Sequence, residues 1–360
     1  MKILTGWPLE DEQTGIYIVN ALKSLGHQVH NVDCKVLHRT ALSDGKDVTD
    51  LLTQAMEEGM EKKPDLVFVS RQSWFTPFAE KYRGKLPIAG WNVDVRYDVN
   101  NWQNLFPLMK ACSHWFTIAA GHVKWYRENI NPNTYWLSEA CDPAVHRSPN
   151  AKELELLKDD LRLKVYGSCD VSFAGSIDYD HVGPPNRVDL IRAVHEQFKL
   201  KTWGFQSRYL FNTEHSLMAF LSPINLGHSG WTHVALSMSA RDYRVMGAGG
   251  FLLTNKVDCY EKIFVEGQDF ETYSTVDECL EKIRYYLEHP EERERIRKRG
   301  MERVHYDHTF VRRMDRMLDI MGGYPDGWQT MYDSIAFDDT ILPEEPDNYL
   351  SGKWAVKSGG

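Results

Sequence analysis

Two arginines stand just ahead of a glycine-rich stretch in Ser239-Ala240-Arg241-Asp242-Tyr243-Arg244-Val245-Met246-Gly247-Ala248-Gly249-Gly250. A guanidinium fork matches phosphate oxygens, and glycines let a backbone come close to a ligand, so Arg241, Arg244, Gly249 and Gly250 together suit a phosphorylated ligand. A second turn of the same character, Gly175-Ser176, follows the apolar run Val171-Ser172-Phe173-Ala174, and Arg187 opens the helical pattern after it. Backbone N–H groups at a helix start and fixed cations stabilise the charge that develops on a departing diphosphate. His228, in Asn225-Leu226-Gly227-His228-Ser229-Gly230, is a further candidate for a phosphate or donor contact. Asp94 follows the strand-like run ending in Trp91-Asn92-Val93. A carboxylate at the edge of a cleft could act as a general base toward a hydroxyl. Each residue also has a plainer use: Asp94 as a turn or cap residue, the arginines as a solvated helix face, the glycines as turn glycines.

The elements that must position these groups alternate. Lys2-Ile3-Leu4 reads as a strand, and Ile18, Ala21, Leu22 and Leu25 share a helical face before Gly26. His27 to Val32 alternates as a strand does, Leu51 to Met60 is helical, and Leu66–Val69 and Pro87–Trp91 are further strands. A second series has strands at Val171–Ala174, Lys201–Gly204, Pro223–Leu226 and Phe251–Thr254. Its helices run near Ala151–Leu163, at Arg187–Phe198, from Thr275 with Glu278 as a capping box, from Pro290 to Gly300, and from Thr309 to Met321. Strands alternating with helices imply parallel sheets covered on both faces, here in two halves joined between 140 and 165. The divisions expected are 1–150 for an acceptor domain, 151–320 for a donor domain and 321–360 for an acidic extension.

Composition narrows the chemistry. Of 360 residues 42% are apolar and 26% charged, which excludes wholesale disorder, and the length suits two domains. The net charge is −9, of which −5 falls in 321–360, so a strong basic footprint for nucleic acid is missing. Eleven Trp and seventeen Tyr suit a deep cleft as well as a large core. No apolar run reaches the ~18–20 residues of a membrane span, and the start lacks the apolar core of a signal peptide, so a cytoplasmic address is expected. The six cysteines form no CxxC pair and are expected as buried thiols. The loop from Gly6 to Gly15 lacks the G-x-G-x-x-G spacing of a dinucleotide site, and no P-loop occurs. His305, Asp307 and His308 fit a helix boundary better than a metal site.

The run Ser239–Thr254 resembles the CgeB-like (spore-maturation-type) glycosyltransferases, relatives of the group-one transferases with the GT-B fold. The likeness continues through Glu261-Lys262-Ile263-Phe264, Tyr273-Ser274-Thr275, Tyr285 to Arg293, Gly300 and His308-Thr309-Phe310. Upstream it takes in Phe173–Ser176, Trp203-Gly204 and Asn225, and more loosely Trp91, Asp94, Cys141-Asp142-Pro143 and His146. It spans about 1–320 and is strong from about 170 to 320. The resemblance implies two Rossmann-like domains facing across a cleft and a metal-independent transfer from a nucleoside-diphosphate sugar, the co-substrate, to a hydroxyl acceptor. It implies no further cofactor. Catalytic roles are expected at Asp94 and Arg241, and donor contacts at Gly175, Ser176, Arg187, Gly204, His228, Arg244, Gly249 and Gly250. One departure stands out: Arg244 occupies a position where group-one relatives carry a Glu that holds the ribose hydroxyls, and an Arg cannot accept those bonds. The alternatives are a phage-type transferase acting on hydroxymethylated DNA bases, an inactive sugar-nucleotide-binding module, and a nucleotide-dependent epimerase.

Overall fold

The computed structural model describes residues 1–10, 14–96, 99–176, 185–204 and 207–324, and of 161–163 the backbone alone. The acidic extension expected beyond 320 lies almost entirely outside the described residues.

The first half is a parallel sheet of β1 (Lys2–Gly6), β2 (Gln28–Val32), β3 (Leu66–Ser70), β4 (Ile88–Asn92), β5 (His114–Thr117) and β6 (Thr134–Trp136) in the order β2-β1-β3-β4-β5-β6. Every residue of β3 and β4 is buried, the signature of strands covered on both faces. The cover consists of α1 (Thr14–Ser24), α2 (Cys34–Asp44), α3 (Val48–Met60), α4 (Thr76–Tyr82), α5 (Phe106–Ala111) and α6 (Val123–Asn129). Helix α2 is missing from the sequence reading. Only Cys34 and Ala41 of it are buried, so its apolar stripe is faint. Its ends are marked instead by the Asp33 carboxylate, which accepts from Lys35 N and Val36 N, and by Gly45 in the left-handed region.

The linker carries α7 (Ala151–Leu157) and α8 (Leu161–Tyr166), two short helices where one was expected, with a turn at Lys158-Asp159 between them. The second half is again parallel, with β7 (Val171–Ala174), β8 (Leu200–Trp203), β9 (Ile224–Leu226), β10 (Leu252–Asn255) and β11 (Glu271–Tyr273) in the order β11-β10-β9-β7-β8. Its helices are α9 (Arg187–Gln197), α10 (Thr213–Leu221), α11 (Ala240–Gly247), α12 (Val276–Glu288), α13 (Pro290–Asp307) and α14 (Phe310–Met321). In each sheet the direction of strand succession reverses beside the first strand, and ligands of such sheets bind past the carboxyl ends at that reversal.

Two expectations change in the last helices. Helix α13 does not stop at Gly300 but runs on to Asp307. Gly300 is there for proximity, since a Cβ at this position would collide with the carbonyl oxygen of Asp269. Gly300→Ala is therefore expected to destabilise the protein by about 1–3 kcal/mol, read as a lower urea midpoint with an unchanged slope. Helix α14, expected with the second domain, packs its apolar face on the first. Phe310, Met314, Met317 and Ile320 share one core with Ile3, Tyr17, Ile18 and Leu22. The chain thus crosses between halves twice, and the crossings bond to each other: Cys141 N donates to His308 O at 2.9 Å and Phe310 N to Cys141 O at 3.0 Å. All six cysteines are free thiols, five of them buried. No helix among the described residues is long and apolar enough to cross a membrane.

Candidate functional site

The carboxyl ends of both sheets open onto one cavity of about 510 Å³ between the halves. From the second half come Ser176 after β7, Arg187 at the start of α9, the loop His228 to Trp231 after β9, and Ser239, Ala240, Arg241 and Arg244 around the start of α11. From the first half come Thr14, Arg71 after β3, Val93 to Arg96 after β4, Ile118 after β5 and Glu139 after β6. Among the described residues, the lining carries five arginines against Asp94 and Glu139.

Arg187 is only 4% exposed. Its Nη1 donates to Ser176 O at 2.7 Å, its Nη2 to His228 O at 2.9 Å and its Nε to His228 Nδ1 at 3.4 Å. The Asn186 side chain caps α9 by accepting from Val188 N and Asp189 N, which fixes where the arginine leaves the helix. Arg241 donates from Nε to Ala174 O at 2.5 Å and from Nη1 to His228 O at 3.3 Å, and it lies over the Phe173 ring at 4.9 Å. Its remaining N–H bonds meet no carboxylate within ion-pair distance among the described residues. Burial pulls its pKa below the usual arginine value. A desolvated cation held by carbonyls is what an anion entering the cavity would neutralise.

Gly175 is the condition for that placement, because a Cβ there would overlap the Arg241 guanidinium. Ser239, Ala240 and Arg241 form the first turn of α11, so orphan backbone N–H groups and the positive end of the helix dipole face the same space. Behind them Asp242 is fully buried, and burial lifts its pKa to about 6. Its carboxyl accepts from Ser239 N at 3.1 Å. The loop after β9 is pinned by Asn255, which accepts from Ser229 N at 2.7 Å and donates to Ser229 O at 2.8 Å. The Ser229 hydroxyl, buried at the cavity, has no hydrogen-bond partner among the described residues.

On the opposite wall Asp94 pairs with Arg71, and its side chain is 49% exposed. Arg71 and Arg96 both approach the Trp102 ring, at 5.3 and 5.5 Å from its centre. Glu139 is 3% exposed. Its Oε1 accepts from Thr14 Oγ1 at 3.1 Å, and its Oε2 has no hydrogen-bond partner among the described residues. Burial raises its pKa to about 7, against the opposing field of Arg244. The Arg244 guanidinium sits over Tyr17 of the first half at 5.4 Å.

Of the residues singled out by sequence, Asp94, Ser176, Arg187, His228, Arg241 and Arg244 meet at the cavity. Gly175 stands beside it as the seat of Arg241. Gly204, Gly249 and Gly250 do not line it. Gly204 (φ +84) abuts Tyr209 and the Gly175 carbonyl oxygen. Gly249 faces Ser148 and Met301, and Gly250 faces Ala219 O and Asn225 Nδ2, so this pair lets polypeptide approach polypeptide rather than a ligand. The His228 ring is engaged by Arg187 on one nitrogen and by Pro185 O at 2.7 Å on the other, an anchor for the arginine. His305 bonds to His146 O at 2.9 Å and His308 to Arg313 at 2.7 Å, so the apparent metal pattern is a helix junction.

Arg71, Arg96, Glu139, Ser229 and Trp231 went unread. Arg71 and Glu139 each lie within three residues of a strand's carboxyl end, the one signal that could have flagged them.

Residues 150–319 match the family model described as glycosyl transferase-like. No curated protein matches the sequence. Among solved structures, HepE from Anabaena in complex with UDP-glucose superposes with a TM-score of 0.61 at 11% identity, over 90% of this chain and 100% of that one. Sucrose-phosphate synthase from Thermosynechococcus elongatus gives 0.61 at 10% identity, over 90% and 99%. A glycosyltransferase from Rickettsia africae gives 0.61 at 12% identity, over 94% and 99%. The architecture is therefore the two-domain GT-B fold of glycosyltransferases, with a glycosyl transferase-like second half.

Proposed function

We propose that this GT-B protein transfers a sugar from a nucleoside-diphosphate donor to a hydroxyl acceptor, with the donor's diphosphate held by the second half. The observation that carries this reading is Arg241: a half-buried cation bonded to two carbonyls, at the first turn of α11, facing the cavity between the two sheets. The diphosphate would lie among Arg241, Arg187, the N–H groups opening α11 and the Gly175-Ser176 turn. The sugar would then extend toward the first half, where Asp94 and Arg71 border the acceptor side. Fixed guanidinium groups and amides do the electrostatic work a divalent cation would otherwise do, so transfer is metal-independent in this reading. A volume of about 510 Å³ suits a ligand of this size. UDP-sugars are the first donors to try, because the Anabaena neighbour was solved with UDP-glucose. The finer placement among CgeB-like enzymes rests on the run Ser239–Thr254.

The test is a melting-temperature panel of UDP, GDP, ADP and dTDP and their glucose conjugates, each with and without EDTA. A ligand that binds only the folded state at about 100 times its dissociation constant adds about 2.7 kcal/mol. At least one nucleoside diphosphate is expected to raise the melting temperature equally with and without EDTA. No shift from any of the four overturns the donor site, and a shift abolished by EDTA overturns metal independence.

A further inference from the structure

Two of the cavity's arginines stand apart from the diphosphate grip. Arg187 and Arg241 come from the second half, whereas Arg71 and Arg96 come from the first. Strands β3 and β4 are neighbours, with Ser70 paired to Trp91, so the chain leaving β3 at Arg71 and the chain leaving β4 toward Arg96 border the same part of the cavity. Both guanidinium groups approach one indole, that of Trp102, which is 6% exposed. The face of an indole attracts cations, yet two like charges gathered at one ring repel each other unless an anion answers them. Arg71 has Asp94 for that purpose. Arg96 is exposed, lines the cavity and meets no carboxylate within ion-pair distance among the described residues. With the donor's diphosphate met by the opposite wall, this charge is left for another ligand.

The same wall carries a second unanswered group. Glu139 is buried at the cavity, the Thr14 hydroxyl donates to its Oε1, and its Oε2 has no hydrogen-bond partner among the described residues. Buried acceptors without partners are rare, and one at a ligand cavity is explained by a hydroxyl of the ligand. Its backbone is fixed independently: Arg313 of α14 donates to Ser138 O at 3.0 Å and to Glu139 O at 3.3 Å, and Trp91 Nε1 to Leu137 O at 3.0 Å. Asp94, the partner of Arg71, lies near enough to act on the Glu139 charge, so the arginines and the carboxyl belong to one continuous surface. Burial lifts the Glu139 pKa to about 7, so near neutral pH this carboxyl carries only part of a negative charge. Arg71 and Arg96 then outweigh Asp94, and the wall is positive.

We propose that this wall is the acceptor subsite and that the acceptor is a polyhydroxylated molecule bearing a phosphate or a carboxylate. The proposal rests on the donor reading above, which it deepens by giving the acceptor a charge. The anionic group is held by Arg96 together with Arg71, whose planar forks match either oxyanion. A hydroxyl of the same molecule donates to Glu139 Oε2, which serves here as a hydrogen-bond acceptor only. A neutral sugar would fill the hydroxyl end and leave Arg96 unanswered, which is how the wall discriminates between acceptors.

The experiment titrates UDP-saturated protein, in which Arg187 and Arg241 are already occupied, with glucose, glucose 6-phosphate, glucuronate and inorganic phosphate by calorimetry. In wild type at least one of the two anionic sugars is expected to bind roughly tenfold or more tightly than glucose, the worth of a hydrogen bond to a charged group. The tighter of the two identifies the anionic group as phosphate or carboxylate. Arg96→Ala, a change at an exposed side chain, is expected to bring the anionic sugar down to the affinity of glucose and to weaken inorganic phosphate as well. Glu139→Leu is expected to weaken the anionic sugar and to spare inorganic phosphate, which needs the arginines alone. A titration with UDP shows that each variant is folded. Glucose bound as tightly as both anionic sugars, no binding of either anionic sugar, an affinity unchanged in Arg96→Ala, or loss of inorganic phosphate in Glu139→Leu would each overturn the proposal. Failure of UDP itself to bind wild type would instead strike the donor reading, so the two failures are distinguishable.

Discussion

Arg241→Ala lowers turnover of a nucleotide sugar by roughly 10²–10³-fold, the range found when one preorganised donor to a developing negative charge is removed. The expectation follows from three properties together. The guanidinium is half-buried and partly desolvated, it is braced by Ala174 O and His228 O, and it has N–H bonds left for a ligand. Lysine cannot brace and bridge at once, so Arg241→Lys recovers little. Because two carbonyls also lose a donor, the variant's melting temperature is measured beside its kinetics. A modest fall in stability with a large fall in turnover and in the nucleoside diphosphate shift is the expected pattern. Equal turnover in a folded variant would remove Arg241 from the chemistry.

The second large effect is on stability. Arg313 has no solvent exposure, yet it donates to Ser138 O, Asp307 O, Glu139 O and His308 Nδ1 at 2.7–3.3 Å. It stitches the first crossing between the halves to the second. Arg313→Met keeps much of the volume and strands two buried carbonyls, the half-buried carbonyl of Asp307 and a buried ring nitrogen. Leaving a buried polar group unsatisfied costs about 1–3 kcal/mol, and partial relaxation of the four sites brings the total to roughly 3–5 kcal/mol. The expected readout is a melting temperature lower by roughly 4–7 °C. A change under 2 °C would mean that the junction tolerates the loss and that the buried guanidinium is not its main tie.

The strands were legible because buried parallel strands leave apolar runs that few other structures leave, as in Leu66–Ser70 and Ile88–Asn92. The gathering of second-half residues at the cavity was legible for a similar reason: Arg187, Arg241 and the Gly175 turn sit close in sequence to the strand ends that present them. Glycine pairs are more ambiguous. Gly249 and Gly250 carry the same signal whether a nucleotide or another stretch of chain comes near, and here Ser148, Met301 and Ala219 do. Gly300 misled in the opposite sense, reading as a helix stop while serving a close contact inside α13.

The first-half wall could not be read locally. Arg71, Arg96 and Glu139 are joined only where strands β3, β4 and β6 end along one edge of the sheet, and no spacing along the chain records that neighbourhood. Arg244 also changes meaning in three dimensions. In sequence it is an arginine where a carboxylate is expected. In the fold it lies over Tyr17 and exerts its field on Glu139, so the charges that meet at the floor of the cleft come from opposite halves.

The central claim is that a pyrophosphoryl group is held by Arg241 and the first turn of α11 in the cavity between the halves. Crystals of the wild-type protein soaked with UDP test it most directly. Density for the diphosphate within hydrogen-bond reach of the Arg241 guanidinium and the N–H groups opening α11 is the expected result. A fully occupied nucleotide elsewhere on the molecule, with the Arg241 guanidinium still bonded only to Ala174 and His228, would contradict it.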